Sequence, residues 1–247
     1  MKNFPAILDE KMIAYSLMTG IFFIKLEADM SNTGKKNKGK TAAVIVAHPD
    51  DETLWAGGTI LRHPSWNWNV ISLCRASDAD RAPKFNTVLK ILGADGNLGD
   101  MDDGPDQDPL PEKIVRDWIL KLLPPNQFDL IITHDPSGEY TRHLRHEETS
   151  RAVIDLWCNN EIFTRELRTF AYEDGEKKYL PKPIKNAYFY YELPERIWKK
   201  KYQLITKIYG FKEDSFEAQT TPRAEAFWQF MLPEKARDWI NKGGNKK

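Results

Sequence analysis

The chain has 247 residues, of which 41% are hydrophobic and 29% are charged, and Lys plus Arg equal Asp plus Glu at 36 each. This composition is that of a soluble globular protein. The zero net charge argues against a nucleic-acid-binding protein or one that binds acidic membranes, because both need an excess of basic residues. No apolar run is long enough to predict a membrane span. The two cysteines, Cys74 and Cys158, form no CxxC pattern, so we expect a reducing, cytoplasmic environment.

The first 40 residues differ in character from the rest of the chain. Residues 12–24 (MIAYSLMTGIFFI) are apolar, but acidic rather than basic residues precede them, which is a poor match to a secretory signal. The alternatives are an amphipathic helix on the outside of the domain and a natural start at Met30. Residues 31–40 have the composition of a linker. We therefore predict an N-terminal extension and linker over 1–40 and a single domain over 41–247.

From residue 41 onwards, apolar runs alternate with segments of helical periodicity. The predicted strands are 42–47, 69–74, 128–133 and 187–192, and the predicted helices are 53–62, 83–92, 112–123, 146–158, 202–209 and 224–231. This alternation predicts an α/β fold with a Rossmann-like, mostly parallel sheet and helices on both faces. Ligands of such folds bind beyond the carboxyl ends of the strands.

Four of the five histidines follow two of these predicted strands. His48 comes directly after 42–47, and His134 comes directly after 128–133, with His143 and His146 further along. Asp51 lies three residues after His48. Imidazole and carboxylate groups suit zinc, and a catalytic zinc has three protein ligands and one open position. The remaining acid and imidazole would be available as general base and acid.

The two motifs HPDDE (48–52) and HxxH (143–146) together resemble those of the PIG-L/LmbE-like zinc deacetylases. This family includes the N-acetylglucosaminyl-phosphatidylinositol de-N-acetylases and the deacetylases of mycothiol and bacillithiol synthesis. The resemblance runs from about residue 41 to 187 and less clearly to 231. It implies a hydrolase that removes an N-acetyl or short N-acyl group from a small amino-sugar conjugate. The implied cofactor is Zn²⁺, with Fe²⁺ or another divalent metal as the alternative in vivo.

The resemblance also implies roles for individual residues. The metal ligands would be His48, Asp51 and His146, while Asp50 would be the general base and His143 would stabilise the oxyanion and protonate the leaving amine. Two alternatives stay open at the level of sequence. The two aspartates could exchange roles, and His134 could replace His146 as a ligand.

For the substrate, the resemblance implies contacts from Arg75 and from an acid in the loop 99–108 (GDMDDGPDQD). Asp102 is our match, with Asp100 and Asp103 as the other candidates. Tyr140 is expected to cover the mouth of the pocket. The second motif departs from the GHxDH of the family through Arg142 and Arg145, which we expect to alter the preference for substrate charge. Residues 160–185 and the C-terminal third are expected to shape substrate choice.

Three other interpretations compete with the deacetylase hypothesis. The acids of HPDDE would also be favoured as the cap and first turn of a helix. A metal-dependent phosphoester hydrolase could use a similar site. A relative that binds sugars without turnover is the non-enzymatic alternative. The sequence leaves open whether the chain forms a homo-oligomer.

Overall fold

The computed structural model describes residues 39–106 and 108–244. The predicted N-terminal extension, apart from residues 39 and 40, lies outside this described part. The strands are β1 (Thr41–Val46), β2 (Asn67–Ser72), β3 (Ala94–Leu98), β4 (Gln127–Phe128), β5 (Leu130–Thr133), β6 (Phe163–Thr164), β7 (Leu167–Phe170), β8 (Tyr172–Glu173), β9 (Lys182–Pro183), β10 (Phe189–Glu192) and β11 (Ala224–Phe230). The helices are α1 (Asp51–Arg62), α2 (Arg81–Leu92), α3 (Glu112–Leu122), α4 (Leu144–Cys158), α5 (Glu195–Gln203), α6 (Phe216–Thr220) and α7 (Pro233–Asn241), and a π-helical segment (Leu204–Tyr209) follows α5.

Seven strands form one sheet in the order β10-β11-β7-β5-β1-β2-β3. The five strands from β7 to β3 are parallel, and β11 and β10 extend the sheet in antiparallel pairing. The strand β1 lies at the centre of the five parallel strands, where Val44 pairs with Val70 of β2 and with Ile132 of β5. The prediction of a mostly parallel, Rossmann-like α/β sheet is confirmed.

The central strand β1 supplies a hydrophobic core on each face of the sheet, because successive side chains of a strand point to opposite faces. Val44 and Val46 pack with residues of α1, α2 and the π-helical segment. Ala43 and Ile45 pack with residues of α3, α4 and α7. The helices therefore cover both faces, as predicted. None of the helices in the described part is long and apolar enough to cross a bilayer.

The prediction of a helix over 224–231 is wrong, because Ala224–Phe230 forms β11, between β7 and β10. The local composition, with two alanines and a glutamate, favours a helix. Tertiary contacts override this preference. Glu225 is fully buried in β11 and pairs at 2.7 Å with the ammonium group of Lys201, which is also fully buried. The carboxylate also accepts hydrogen bonds from the backbone of Gly58 and Thr59 in α1.

Other differences lie mainly at the margins of the sheet. The prediction contained neither the edge strand β3, whose sequence ADGNL is poor in strand-forming residues, nor β7. The predicted helix 202–209 is instead the end of α5 followed by the π-helical segment. None of these differences moves the carboxyl ends of β1, β2 and β5, where the histidines and acids of interest lie.

Candidate metal and catalytic site

The two sequence motifs meet beyond the carboxyl ends of the parallel strands. HPDDE forms the turn from β1 into α1, and His143 and His146 lie at the start of α4. A cavity of about 250 Å³ opens at this point. Its lining includes His48, Asp50, Asp51 and His143.

Asp51 is the group that joins the two motifs. Its Oδ2 atom accepts a hydrogen bond from the backbone N–H of His48 at 2.9 Å and lies 3.2 Å from Nδ1 of the same residue. The same oxygen is 3.3 Å from Nε2 of His146. Its Oδ1 atom accepts a hydrogen bond from the indole N–H of Trp55 at 3.0 Å, which fixes the carboxylate. The structure thus places His48, Asp51 and His146 in direct contact.

Three buried ring nitrogens around Asp51 have acids or other imidazoles near them but no hydrogen bond of good geometry. Among the described residues, Nε2 of His48, Nδ1 of His143 and Nε2 of His146 are buried and make no hydrogen bond. The rings of His143 and His146 stack with centroids 4.3 Å apart, because a spacing of three places both on one face of α4. One nitrogen from each of these three histidines lies within 4.8 Å of the others. A buried polar atom without a partner is costly, so this arrangement is typical of a site that holds a cation.

His134 lies beside this cluster, but its ring nitrogens are already used. Its Nε2 accepts a hydrogen bond from the backbone N–H of Ala47 at 3.0 Å. Its Nδ1 therefore carries the proton and donates to Oε2 of Glu139 at 2.9 Å. Nδ1 of His146 donates to the same oxygen at 2.6 Å, which leaves Nε2 of His146 free to ligate. Of the two candidates for the third metal ligand, His134 and His146, only His146 has a ring nitrogen whose lone pair is not used in a hydrogen bond.

Glu139 is a residue that the sequence analysis did not identify. It is fully buried, and burial alone would raise its pKa, but the imidazoles of His134 and His146 lower the pKa to about 2. The negative charge of Glu139 therefore lies against the Nδ1 atoms of His134 and His146, on the side of these rings away from Asp51. Glu139 lies five residues after His134, and this spacing matches no motif that would have identified it from the sequence.

Asp50 lies next to Asp51 but points in another direction. It occupies the N-cap position of α1 with φ 121°, and its side chain makes no capping hydrogen bond. One carboxylate oxygen instead accepts a hydrogen bond from the guanidinium of Arg81 at 2.9 Å. Burial, together with the charge of Asp51, raises the pKa of Asp50 to about 8. The interpretation of HPDDE as a helix cap does not explain this geometry.

The last residue of HPDDE holds the strained turn in place. Glu52 is fully buried, and its Oε2 atom accepts a hydrogen bond from the backbone N–H of Asp50 at 3.0 Å. Its Oε1 atom accepts hydrogen bonds from Thr53 and, at 2.8 Å, from the hydroxyl of Tyr209. A backbone at positive φ costs roughly 1–3 kcal/mol in a residue other than glycine and persists only where the surroundings fix it. Glu52 provides that restraint.

In the aspartate-rich loop, the acid that reaches the cavity is Asp103 and not Asp102. Asp103 lies 3.2 Å from Nε2 of His48 and pairs with the guanidinium of Arg75, and both Asp103 and Arg75 line the cavity. The side chain of Asp102 is 67% exposed and faces outwards. Three aspartates within four positions left the register of this loop open, and only the fold determines which of them turns inwards.

The two arginines of the second motif do not line this cavity. Arg145 is fully buried and donates hydrogen bonds to the backbone carbonyls of Asp102 and Asp108, at 2.7 and 3.0 Å, and to Glu148. It therefore holds the aspartate-rich loop against α4. Arg142 is largely exposed and forms two hydrogen bonds with Glu147. Arg142 lines a second cavity, which shares Tyr140 with the first.

Aromatic side chains form one wall of the cavity. Tyr140 and Trp55 both line the cavity. The third aromatic residue is Phe216 of α6, whose ring lies 5.1 Å from that of Tyr140. Glu217 follows it on the same wall. The sequence analysis assigned substrate choice only broadly to this C-terminal third and singled out neither Phe216 nor Glu217.

The part of the chain that forms this site is similar in sequence to known proteins. The sequence model of the PIG-L family, described as GlcNAc-PI de-N-acetylase, matches residues 43–157. A protein of Acanthamoeba polyphaga mimivirus, uncharacterized protein L374, is 24% identical over 176 residues, which cover 66% of this chain and 75% of that protein.

Solved structures share the fold at low sequence identity. N,N′-diacetylchitobiose deacetylase from Pyrococcus horikoshii has a TM-score of 0.58 at 16% identity, over 92% of this chain and 95% of that chain. A deacetylase of teicoplanin biosynthesis has a TM-score of 0.53 at 14% identity, over 76% and 97%. GalB, the 4-carboxy-2-hydroxymuconate hydratase of Pseudomonas putida KT2440, has a TM-score of 0.54 at 16% identity, over 78% and 97%. This fold therefore carries more than one reaction, and likeness of fold alone does not identify the activity.

The match to the family model includes both motifs and the whole cluster around Asp51. It confirms the resemblance that HPDDE and HxxH indicated, with His48 and His146 inside the matched range. The chain is similar to the PIG-L/LmbE-like deacetylases over residues 43–157, which are just under half of its length.

Proposed function

We propose that the protein is a metal-dependent deacetylase that removes an N-acetyl or short N-acyl group from an amino-sugar conjugate, with zinc as the metal. The observation that carries the proposal is that imidazoles of both motifs converge on the carboxylate of Asp51, whose Oδ2 atom lies 3.2 Å from Nδ1 of His48 and 3.3 Å from Nε2 of His146. Two imidazoles and one carboxylate are a ligand set of catalytic zinc, and Fe²⁺ accepts the same donors.

His48, Asp51 and His146 would hold the metal, while Glu139 orients the His146 ring through its Nδ1–H. When bound, the metal supplies Lewis-acid polarisation of the amide carbonyl and lowers the pKa of water. Asp50 is the remaining carboxylate of HPDDE that lines the cavity, and it takes the proton from the attacking water. The hydrogen bond from Arg81 holds one oxygen of Asp50, which leaves the other to act as the base.

His143 is assigned to the opposite side of the scissile bond. Burial, with a smaller contribution from the neighbouring His146 and His48, lowers the pKa of His143 to about 3. A neutral imidazole can donate a hydrogen bond from its N–H to the developing oxyanion. The proton that Asp50 has taken from the water would then go to the leaving amine, so that His143 keeps its own proton. Arg75 and Asp103 lie at the cavity rim, where they would bind the hydroxyl groups of the sugar. In this proposal Asp103 takes the place of Asp102.

The proposal is tested by separating metal binding from turnover. Asp50→Asn should retain the zinc content of the wild type and lose about 10²- to 10⁴-fold in kcat, the usual contribution of a general base. His146→Ala should instead lower the metal content measured by elemental analysis. Acetate release from N-acetylglucosamine conjugates is compared with phosphate release from phosphoesters. Phosphate release without acetate release, or wild-type turnover by Asp50→Asn, would contradict the assignment.

A further inference from the structure

The candidate cavity has an excess of negative charge although the whole chain is neutral. Five of the lining residues are acids and two are arginines, with no lysine. The five acids are Asp50, Asp51, Asp78, Asp103 and Glu217, and the two arginines are Arg75 and Arg81. A bound divalent cation would leave one negative charge if all these groups were ionised and none if Asp50 were protonated. The cavity does not have the cationic surplus that binds phosphate groups.

Both arginines already have an acidic partner within the cavity. Arg81 donates to Asp50 at 2.9 Å and to the carbonyl of Pro49, and Arg75 pairs with Asp103. A phosphate would have to take a guanidinium away from a carboxylate that is itself largely buried. That exchange would leave the carboxylate without its cation, which costs several kcal/mol in a desolvated site.

The second cavity, on the other side of Tyr140, has the same sign of charge. It has a volume of about 500 Å³ and is lined by four acids and two basic residues. Arg142, one of these basic residues, is bound by both carboxylate oxygens of Glu147. A substituent that extends from the sugar into this second cavity would therefore also meet a net negative wall.

The apolar wall of the first cavity is incompletely covered. Phe216 is 38% exposed, with one edge against Tyr140. It lies on the short helix α6, where Ser215 caps the backbone N–H of Ala218. An aromatic ring left open beside a polar cavity is stabilised when an apolar surface covers it, and the C–H face of a pyranose ring provides one. Phe216 also lies outside the range 43–157 that matches the family model.

We infer that the cavity selects an uncharged N-acetyl amino-sugar glycoside over a phosphorylated one, and that Phe216 is the surface on which the sugar ring packs. This inference rests on the proposed deacetylase function and narrows its substrate class. It separates this chain from the phospholipid-linked substrate in the description of the matched family.

The charge preference is tested with two sugars that differ in the aglycone. The zinc-loaded full-length chain is assayed with the methyl glycoside of N-acetylglucosamine and with N-acetylglucosamine 1-phosphate. We expect kcat/KM for acetate release to be at least about tenfold higher with the methyl glycoside, the usual size of one unfavourable charge contact. Glu217→Lys should narrow this ratio. Equal rates, or a preference for the phosphate, would overturn the inference.

The packing role is tested with Phe216→Ala. We expect about a tenfold rise in KM for the methyl glycoside, because the sugar ring no longer has an aromatic face to cover, with kcat within about twofold of the wild type. Phe216→Trp should retain the low KM. Tyr188→Ala removes another exposed aromatic ring, one that does not line the cavity, and should leave both constants unchanged. An unchanged KM in Phe216→Ala would refute the role of this ring.

Failure of the proposed function gives a different result. In that case neither sugar releases acetate, and calorimetric titration of the zinc-loaded protein with the same two sugars tests the inference by itself. Tighter binding of the methyl glycoside, weakened by Phe216→Ala, would support it. Tighter binding of the phosphate would overturn it.

Discussion

Glu139 offers a test of the metal site that leaves every proposed ligand in place. One of its carboxylate oxygens accepts hydrogen bonds from two imidazoles, those of His134 at 2.9 Å and His146 at 2.6 Å. The other oxygen accepts from the backbone N–H of Asp135 at 3.1 Å. In Glu139→Gln the amide group has a single oxygen for these three donors. Whichever way the amide turns, its NH₂ group faces at least one buried N–H.

The size of the effect follows from this conflict. A buried donor left without an acceptor costs about 1–3 kcal/mol. Removing the negative charge also makes the His146 ring a weaker ligand. Replacing a group that orients a metal ligand costs about 10- to 100-fold in metal affinity, which corresponds to about 1.4–2.7 kcal/mol. We therefore expect the zinc dissociation constant to rise by this factor.

The assay is competition for zinc with a chromophoric chelator at neutral pH, with thermal unfolding followed in parallel to confirm that the variant is folded. Glu147→Gln is the matched control. Glu147 is also buried, and it lies next to His146 in the sequence, but its hydrogen bonds go to Arg142. We expect this control to retain zinc affinity within about threefold, since its carboxylate does not touch an imidazole. If Glu139→Gln binds zinc as tightly as the wild type, the orientation of His146 by Glu139 is refuted.

Three further predictions concern groups outside the first cavity. Lys201→Met leaves Glu225 buried without its cation and should lower the free energy of unfolding, measured in urea, by about 3–5 kcal/mol. The double variant with Glu225→Gln should recover part of this loss. A decrease below about 1 kcal/mol in Lys201→Met would contradict the pairing. Arg145→Met releases the aspartate-rich loop from α4 and should lower kcat/KM by about 10²-fold at unchanged zinc content, whereas wild-type kinetics would show that the loop needs no anchor. Burial would raise the pKa of Asp174, but hydrogen bonds, including one from the backbone N–H of Thr141, outweigh this effect and hold the pKa below its ordinary value. The Asp174 carboxylate therefore stabilises the fold above about pH 4, and this stabilisation disappears as the pH falls through the lowered pKa. The unfolding free energies of wild type and Asp174→Asn should therefore converge from pH 6 to pH 3, and a constant difference would exclude this linkage.

The sequence predicted those parts of the fold that depend on local pattern. The buried strands β1, β2 and β5 are short apolar runs, and a parallel sheet brings their carboxyl ends to one edge. His48 and His146, nearly a hundred positions apart, could be expected to meet for this reason. The failures depend on contacts between distant segments. Residues 224–230 have helical composition, yet Glu225 finds its partner in Lys201 and its place between two strands.

The same limit explains the residues that were missed around the site. Asp103 differs from its neighbour Asp102 only in the direction of its side chain, which Arg145 fixes by holding the loop from α4. Glu139 can be recognised as part of the site only from its distances to the imidazoles of His134 and His146, which the sequence does not give. Phe216 reaches the cavity because the chain beyond β10 folds back over α2, and no local pattern encodes that return.

The backbone of Asp50 has a consequence for protein engineering. Its φ of 121° is a conformation that glycine adopts without steric cost, whereas an aspartate is held there by Glu52. A mutant library screened only for heat tolerance is therefore expected to enrich glycine at this codon, and the enriched clones would no longer have the carboxylate assigned to proton transfer. Thermal screens of this protein therefore need an activity measurement on every survivor.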